Sequence, residues 1–587
     1  MKKTVILALL MAAAGLAGCA TAVNGIYHLD PIQYRVRVEK DVMARMRDGT
    51  VLAADVYHPV GLDRGPVILV RTPYDKRAPG VVALLQSSLY KLFAGHGYTV
   101  VVQDVRGRYA SAGEFYPMLN EARDGADTLQ WLANEPWCNG KVGSWGGSYF
   151  GFTQWAMADA DAGAGLAAMV PLITTADIIK LHYEGGAVNL ENILSWSTSN
   201  RDGQGQKVKP QDLQNGYNHL PLITADNAVS PENVRFFDDT VSYRLPDVLA
   251  DTAYDDRYKN VTAPALLIAG WYDLFQKYQI EDFRELREKA PPGVGAMSRI
   301  VIGPWGHGFF KDPPVKFKHG GIVKLGQLDL TMDFLDAALK GQDTGIENQP
   351  PYYLYVMGSG QWVGMDEWPP PEARPTVFYL HSDGAANQRA GNGALSREAP
   401  AQEPPDVFTY DPAHPVPTTG GPLLGNDAGP KDQASVEARG DVLVYTTAPL
   451  SSPLTVMGPL SVALDAASDA LDTDFTAKLC DVYPDGLSVN IVDGVVRARF
   501  RDGDLRHPEP IVPGQVYEYV IDLWYTAYVF QPGHRIRLQI SSSNFPRFDR
   551  NRNTGDNIAT GTAMRAARQS VYHDAQMPSR LILSALP

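Results

Sequence analysis

Short continuous runs of apolar residues alternate with amphipathic stretches in the first third of the chain. Two such runs, Pro66 to Thr72 and Tyr98 to Asp104, enclose a helical pattern over Val81 to Ala94. Runs without alternation suit strands that are buried on both faces. With a second helical pattern over Asp124 to Asn134, this rhythm predicts a doubly wound, mainly parallel sheet. An antiparallel hairpin is predicted ahead of it, between Tyr34 and Tyr57.

The rhythm breaks at about Gly165, where Pro, Asn, Asp and Trp interrupt short helical patterns such as Asp177 to Leu181 and Leu190 to Trp196. This texture predicts a helical cap that is inserted into the sheet. Strand patterns resume at Ala265 to Ala269 and at Arg299 to Ile302. The predicted boundaries are a signal peptide over 1–18, a core over 30–165 and 247–348, a cap over 166–246 and a C-terminal domain over 349–587.

Short alternating strands with Pro and Gly turns fill the C-terminal 239 residues, beginning with Tyr352 to Val356. Many short strands at this spacing predict a β-sandwich of the jelly-roll type. Residues 383–440 are rich in Gly, Pro, Asn and Ala, and we predict long loops there.

Composition and charge narrow the classes of function. With 587 residues, three to four domains of about 150 residues are expected. Hydrophobic residues make up 44% and charged residues 20%, which is ordinary for globular proteins. The formal charge of -14 repels phosphate backbones, so nucleic acid is not an expected partner.

The N-terminus and the cysteines bear on the compartment. Lys2 and Lys3 precede an apolar run that is too short to span a bilayer, which is the layout of a secretory signal. The sequence from Leu16 to Cys19 resembles a bacterial lipobox, so we expect an exported lipoprotein that is anchored to a cell-envelope membrane through Cys19. Cys138 and Cys480 remain, and the sequence leaves open whether they pair.

The most informative segment is Lys141 to Gln154, where a short strand, a Gly-Gly-Ser turn and a helical pattern follow one another. A serine on a tight strand-to-helix turn lifts its hydroxyl above the sheet, and small neighbours relieve the crowding. Ser148 is therefore the predicted nucleophile. The pattern departs from Gly-x-Ser-x-Gly, because Gly151 lies three residues after the serine.

Two later strands supply partners in the chain order that hydrolases on this topology use, which is nucleophile, acid, base. Asp273 follows the strand Ala265 to Ala269, and His307 follows the strand Arg299 to Ile302. We predict that His307 takes the proton of Ser148 and that Asp273 fixes its tautomer. The backbone N–H of Tyr149 and the hydroxyl of Tyr74 are the predicted donors to the oxyanion.

These residues belong to motifs that resemble the CocE/NonD hydrolases, the superfamily of cocaine esterase and X-Pro dipeptidyl-peptidase. The motifs are Pro73-Tyr74-Asp75-Lys76, Asp104-Val105-Arg106-Gly107, Ser148-Tyr149-x-Gly151, Gly270-Trp271-Tyr272-Asp273 and Gly303-Pro304-Trp305-x-His307, followed by C-terminal segments such as Gly533 to Leu538. The resemblance covers nearly all of the chain after residue 35. It implies an α/β hydrolase with an inserted cap and a jelly roll, the triad Ser148, Asp273 and His307, and an oxyanion hole from Tyr74 and Tyr149.

The resemblance also bears on the substrate, a small-molecule ester or amide. The α-amino acid ester hydrolases of this family carry an acidic pair after the triad aspartate, and here Leu274, Phe275 and Gln276 stand in that place. A cationic acyl group is thus disfavoured, since an unpaired buried ammonium is costly. Phe275, Trp271, Trp305 and the cap residue Trp196 are predicted to line a pocket for a bulky, uncharged acyl group.

Alternatives stay open at this point. An X-Pro dipeptidyl-peptidase or a β-lactam acylase would need an ammonium site in the cap, for which Asp177, Glu184 and Glu191 are candidates. A carbohydrate-binding surface protein without catalysis is a further alternative. No cofactor and no metal are expected, and the aspartates at 469, 472, 474, 481 and 485 are predicted to be a solvated face. Monomer and homo-oligomer both stay open.

Overall fold

The structure is a computed structural model. It describes Asn24 and residues 29–587, except 78–80, 161–164, 202, 204, 253–256, 309, 316–320, 323–326, 388 and 426. The predicted signal peptide and Cys19 lie outside the described residues. Within the described residues, no helix is long and apolar enough to cross a membrane.

A large mixed sheet forms the core of the N-terminal part. The strands up to residue 365 are β1 Val36–Arg45, β2 Val51–Pro59, β3 Gly65–Thr72, β4 Thr99–Asp104, β5 Cys138–Gly147, β6 Leu166–Leu172, β7 Tyr183–Glu184, β8 Ala187–Val188, β9 Leu266–Tyr272, β10 Arg299–Gly306, β11 Gly321–Ile322, β12 Tyr352–Val356 and β13 Gln361–Met365. All except β7 and β8 form one 11-stranded sheet, in the order β1-β2-β4-β3-β5-β6-β9-β10-β12-β13 with β11 beside β10.

The central strands are parallel and both of their faces are covered. The neighbours from β4 through β12 pair in parallel, whereas the two edges end in antiparallel pairs. Alternate residues of β3 enter two separate cores, with Val67 and Leu69 in one cluster and Ile68 and Val70 in the other. This is why β3 reads as a continuous apolar run, and the prediction of a doubly wound, mainly parallel sheet is confirmed.

Two predicted domain boundaries differ from the structure. The predicted cap begins at residue 166, but residues 166–172 form β6, which pairs with β5 and reaches β9 at the centre of the sheet. The predicted jelly roll includes Tyr352–Val356, but this segment is β12, which pairs with β10 and carries β13 as an edge hairpin. A strand's pattern reports its burial, whereas sheet membership depends on pairing with residues that are distant in sequence.

Helices cover this sheet and build the cap. They are α1 Val81–Gly95, α2 Glu121–Ala133, α3 Tyr149–Ala160, α4 Ile178–His182, α5 Leu190–Ser199, α6 Pro210–Asn218, α7 Arg235–Val241, α8 Leu245–Val248, α9 Gln276–Lys289, α10 Pro292–Met297, α11 Leu328–Leu335 and, in the C-terminal part, α12 Ala434–Glu437. The helices α4 to α8 and the small hairpin β7–β8 lie between β6 and β9, so the predicted helical cap insertion is confirmed.

The C-terminal part is a second, all-β unit. Its strands are β14 Arg374–His381, β15 Ala394–Ser396, β16 Asp406–Tyr410, β17 Leu443–Thr446, β18 Leu454–Ser468, β19 Asp474–Val482, β20 Ser488–Arg497, β21 Tyr517–Phe530, β22 Arg535–Ser541, β23 Ala567–Tyr572 and β24 Arg580–Ala585. They form one 11-stranded sheet in the order β16-β23-β18-β24-β14-β15-β17-β22-β19-β20, with β21 beside β18. The separate C-terminal β domain is confirmed.

The β domain holds the cap hairpin in place. Gly185 has φ 52, and a Cβ there would lie 1.9 Å from the carbonyl oxygen of Val495, so only glycine fits this close approach. Arg547 donates to Glu184 at 2.9 Å, and the backbone N–H of Val188 donates to Asp549 at 2.8 Å. The jelly roll therefore fixes the cap helices that follow this hairpin.

The cysteines and aspartates have structural surroundings. Cys138 begins β5 and Cys480 lies in β19; both are buried and neither is in a disulfide. The aspartates predicted to be a solvated face are mostly paired instead, since Asp472 binds Arg499, Asp474 binds Arg497 and Asp481 accepts from Tyr528. The described residues contain no group of three or more side chains that could hold a metal ion.

A buried histidine in the β domain makes stability depend on pH. His573 is fully buried between Glu403, 3.1 Å from its Nδ1, and Asp406, 2.9 Å from its Nε2. Burial alone lowers the pKa of His573, but the hydrogen bonds and charges of Asp406 and Glu403 outweigh it and raise the pKa above its ordinary value. In the imidazolium form of His573, both ring nitrogens donate, one to each carboxylate.

We expect His573→Gln to destabilise the protein most at mildly acid pH. A raised folded-state pKa contributes stability that is fully present below the unfolded pKa of about 6.5 and is lost as pH rises through the folded pKa. The difference in melting temperature between the wild type and this variant should therefore shrink from about pH 6 to about pH 9. Thermal melts at both pH values check this, and a constant difference would show that the imidazolium is not the stabilising species.

Candidate active site

Ser148 occupies the sharp turn between β5 and α3. Its φ of 56 lies in the left-handed region, which a non-glycine residue adopts at a cost and which is a frequent feature of functional turns. Its N–H donates to the carbonyl of Leu172 in β6, and its own carbonyl accepts from Gly151 N–H at 2.8 Å. The turn is thus tied to the neighbouring strand on one side and to the first turn of the helix on the other.

The structure explains why the second glycine follows the serine by three residues. A Cβ on Gly151 would lie 2.4 Å from Cγ2 of Thr174, so this position tolerates no side chain. The Thr174 hydroxyl in turn donates to the carbonyl oxygen of Ser148 at 2.8 Å. The close packing of Gly151 on Thr174 therefore holds the serine turn from the side of the strand that follows.

Three residues predicted as a catalytic set meet above the sheet. His307 Nε2 lies 3.1 Å from Ser148 Oγ, and His307 Nδ1 lies 2.9 Å from Asp273 Oδ2. The Asp273 side chain is fully buried, and its other oxygen accepts from the N–H of Phe275 at 2.8 Å. The His307 side chain is 12% exposed and reaches the pocket. β5, β9 and β10, which bring these residues together, lie close together in the sheet.

Tyr74 lies beside the serine on the loop after β3. Its hydroxyl accepts a hydrogen bond from Trp196 Nε1 at 2.8 Å. Burial raises the pKa of Tyr74, and hydrogen bonds with Trp196 and Ser148 only partly oppose that shift, so the hydroxyl keeps its proton. The loop itself is pinned, because Lys76 Nζ donates to Asp104 at 2.6 Å and Arg108 Nε donates to the carbonyl of Pro73 at 2.8 Å.

Tyr149 is the first residue of α3, a position whose N–H has no acceptor within the helix. Its side chain is held through the hydroxyl and through the face of the ring. The hydroxyl donates to Glu121 at 2.8 Å, and Glu121 also pairs with the buried Arg71. The Trp196 ring stacks on the Tyr149 ring, with 5.9 Å between centroids and 9° between planes. Burial raises the pKa of Glu121, an effect that Arg71 opposes.

A pocket opens at Ser148 and His307. Phe275 and Trp196 line it, as predicted from the sequence. Sequence reasoning missed most of its other walls, which include Met118, Phe152, Ile178, Leu181, His182 and Leu424. The cap residues among them lie in a helical pattern that gives no sign of which face meets the site, and Leu424 comes from a β-domain loop.

Two tryptophans predicted to line the pocket do not, and this prediction is wrong. Trp271 is 2% exposed, and its indole N–H donates to the carbonyl of Tyr355 at 2.7 Å. Trp305 is 1% exposed and packs against Trp362. Both lie on strands next to a triad position, but side chains alternate between the faces of a sheet, and these two point into its packed layers.

The carboxylates proposed as ammonium ligands are engaged elsewhere. Asp177 caps α4 by accepting from the N–H groups of Ile179 and Lys180, and Glu184 pairs with Arg547. Glu191 accepts from the N–H groups of Leu424 and Gly425, both at 3.2 Å. The described lining of the pocket includes no carboxylate.

The doubly wound sheet, the strained serine turn and the histidine and aspartate at neighbouring strand ends define an α/β hydrolase with an inserted cap. Comparison with known proteins then gives the family. Residues 48–309 match the X-Pro dipeptidyl-peptidase S15 family, and residues 344–582 match the X-Pro dipeptidyl-peptidase C-terminal non-catalytic domain. Cocaine esterase of Rhodococcus sp. (strain MB1 Bresler) is 37% identical over 572 residues, which are 93% of this chain and 98% of that protein.

Solved structures agree with this assignment. An aminopeptidase from a marine sediment Thaumarchaeota archaeon has a TM-score of 0.81 at 26% identity and covers 95% of this chain and 97% of its own. An α-amino acid ester hydrolase has a TM-score of 0.79 at 25% identity, with 94% and 96% covered. The chain belongs to the CocE/NonD family of hydrolases, and it is a hydrolase of the serine esterase type.

Proposed function

We propose that the chain hydrolyses carboxylic esters through an acyl-enzyme on Ser148. The observation that carries the proposal is the position of His307, with Nε2 3.1 Å from Ser148 Oγ and Nδ1 2.9 Å from Asp273 Oδ2. An ionised carboxylate only accepts hydrogen bonds, so Asp273 holds the proton on Nδ1 and leaves the Nε2 lone pair facing the serine. That is the tautomer that a general base needs.

The reaction then follows in two halves. Ser148 Oγ attacks the ester carbonyl carbon while its proton passes to His307 Nε2. Collapse of the tetrahedral intermediate breaks the bond to the alcohol oxygen, and the alcohol leaves with the proton from His307. A water molecule gives its proton to His307 and attacks the acyl carbon, which releases the acid and restores the Ser148 hydroxyl.

The negative charge on the intermediate needs donors, and we assign them to the Tyr74 hydroxyl and the Tyr149 N–H. Because Trp196 Nε1 already donates to the Tyr74 oxygen, the hydroxyl proton is left to point toward the carbonyl oxygen. The apolar walls that include Phe275 and Leu424 favour an uncharged acyl group.

Amide substrates with a free ammonium fit less well. The match to the X-Pro dipeptidyl-peptidase S15 family makes X-Pro cleavage the alternative to test, but the pocket offers no carboxylate among its described lining residues. An ammonium group there would be buried without a partner, which is costly.

The test compares p-nitrophenyl butyrate with Ala-Pro-p-nitroanilide on the purified protein. We expect the ester to be turned over with a kcat/KM at least about a hundredfold above that of the anilide. Treatment with a fluorophosphonate should stop turnover and leave one adduct, located on Ser148 by mass spectrometry. Faster cleavage of the anilide, or an adduct on another serine, would contradict the proposal.

Trp196 offers a separate check of the oxyanion hole. Tyr74→Phe should lower kcat by about a hundredfold, because one donor is lost. Trp196→Phe keeps a ring against Tyr149 but loses the N–H that orients the Tyr74 hydroxyl, and we expect kcat to fall by about tenfold with little change in KM. The double variant should be no slower than Tyr74→Phe alone, since the two act as a unit. Additive losses would contradict this assignment.

We also propose that the protein is exported and acylated on Cys19, as the basic, apolar and small-residue order of its N-terminus suggests. Expression of the full chain in a bacterium, followed by membrane fractionation, tests this. The protein should sediment with membranes and carry acyl mass at Cys19, and Cys19→Ser should lose both.

A further inference from the structure

One polar side chain in the wall of the pocket has no role in the chemistry above. His182 ends α4 in the cap, is 3% exposed and lines the same pocket as Ser148 and His307. Its ring meets Phe236 edge to face, with 5.6 Å between centroids. Among the described residues, neither ring nitrogen of His182 has a hydrogen-bond partner.

His182 differs from the other orphaned polar groups in the described part of the chain, because it is the one side chain with two buried polar atoms that lack a partner. Buried polar groups are nearly always hydrogen-bonded, since leaving one unpaired carries a desolvation penalty. His573 is buried to the same extent, and both of its ring nitrogens meet carboxylates. His182 differs in that it lies on the wall of a pocket, where a bound molecule can supply the missing partner.

The form of the ring limits what that partner is. Burial lowers the pKa of His182 to about 3, so the imidazole is neutral at working pH. A neutral imidazole presents one N–H donor and one lone pair. A carboxylate could use only the donor and an ammonium only the lone pair, whereas a hydroxyl group both donates and accepts.

The apolar residues that line the pocket indicate what kind of acyl group would carry this hydroxyl. Ile178, Leu181 and Phe152 line the same pocket with hydrocarbon, and Asn192 adds a single amide. We propose that His182 is a specificity-determining residue that recognises a hydroxyl group on the acyl part of the ester, so that the preferred substrates are esters of hydroxylated, otherwise apolar acids. This inference rests on the proposed esterase function.

Matched ester pairs test the inference without any variant. Each pair has one leaving group and one acyl skeleton, with and without a hydroxyl that is too remote from the carbonyl to alter its reactivity. The pairs are the p-nitrophenyl esters of 3-phenylpropanoate and 3-(4-hydroxyphenyl)propanoate, of hexanoate and 6-hydroxyhexanoate, and of octanoate and 8-hydroxyoctanoate. We expect kcat/KM to favour the hydroxylated ester by about tenfold or more in at least one pair.

The variants His182→Phe and His182→Gln assign that preference to the side chain. His182→Phe fills the space without a polar atom, so the ratio of the two kcat/KM values within the pair should fall to about one. His182→Gln keeps a donor and an acceptor, so it should retain part of the preference for the hydroxylated ester. Thermal melts confirm that each variant is folded.

The outcomes separate this inference from the function on which it rests. If the wild type hydrolyses plain esters but prefers the hydroxylated ester in no pair, His182 does not recognise a hydroxyl group on the substrate. A preference that survives in folded His182→Phe would equally overturn the inference. If no ester is hydrolysed at all, the proposed function fails first.

Discussion

Replacement of Ser148 by alanine should lower kcat for p-nitrophenyl butyrate by about four orders of magnitude or more. The substitution removes the atom that attacks the carbonyl, and the remaining histidine and oxyanion donors accelerate only a slow attack by water. The side chain is small and stands on the pocket wall, so the fold should keep its melting temperature. A single-turnover assay with purified variant protein measures the residual rate and excludes a trace of wild-type enzyme.

Ser195→Ala is a matched control for this variant. Ser195 lies in the cap helix α5, near the site, and its hydroxyl donates to the carbonyl of Glu191 at 2.6 Å within the helix. Loss of that hydroxyl should leave kcat and KM close to those of the wild type. If Ser148→Ala kept a tenth of the wild-type rate, another group would have to be the nucleophile.

The sequence was sufficient to predict that Ser148, Asp273 and His307 meet, because strand ends and tight turns leave local marks. Ser148 follows a short strand and two glycines, and Asp273 and His307 each follow a buried apolar run. In a parallel sheet the carboxyl ends of the strands meet on one edge, so position along the chain translates into proximity. The departure from Gly-x-Ser-x-Gly was also visible, although its cause, the contact of Gly151 with Thr174, needed the fold.

The pocket could not be predicted in the same way, because its walls come from segments whose packing is set by distant residues. Leu424 reaches the site from a β-domain loop that the sequence marks only as long and rich in glycine and proline. Trp271 and Trp305 show the opposite error, because they were predicted to line the pocket and do not. They stand next to motif residues, but the alternation of side chains along a strand turns them into the core. Local patterns give a residue's secondary structure but not its neighbours.

His182 illustrates the limit most directly. In the sequence it directly follows the short helical pattern Asp177 to Leu181, where a histidine is an ordinary helix-terminal residue. Only the three-dimensional surroundings, in which neither nitrogen has a partner among the described residues, distinguish it from His573, whose two nitrogens both meet carboxylates.

Replacement of Asp273 by asparagine should lower kcat by about four orders of magnitude, the second large effect that we expect. The carboxylate only accepts hydrogen bonds, and so it keeps the His307 proton on Nδ1. An amide of the same shape can donate its NH₂ to Nδ1, which moves the proton to Nε2 and leaves no lone pair for Ser148. Steady-state kinetics on p-nitrophenyl butyrate measure the loss, which should fall on kcat and leave KM nearly unchanged.

Asp282→Asn is the control that separates this tautomer effect from the loss of any buried carboxylate. Asp282 is 2% exposed and accepts from the Tyr258 hydroxyl at 2.6 Å and from the N–H of Ala176 at 2.9 Å, without touching His307. Burial raises its pKa to about 7, so the neutral form that an amide resembles is already populated near neutral pH. We expect this variant to keep nearly full activity. Equal losses in both variants would mean that losing any buried carboxylate impairs the enzyme, which would contradict the tautomer argument for Asp273.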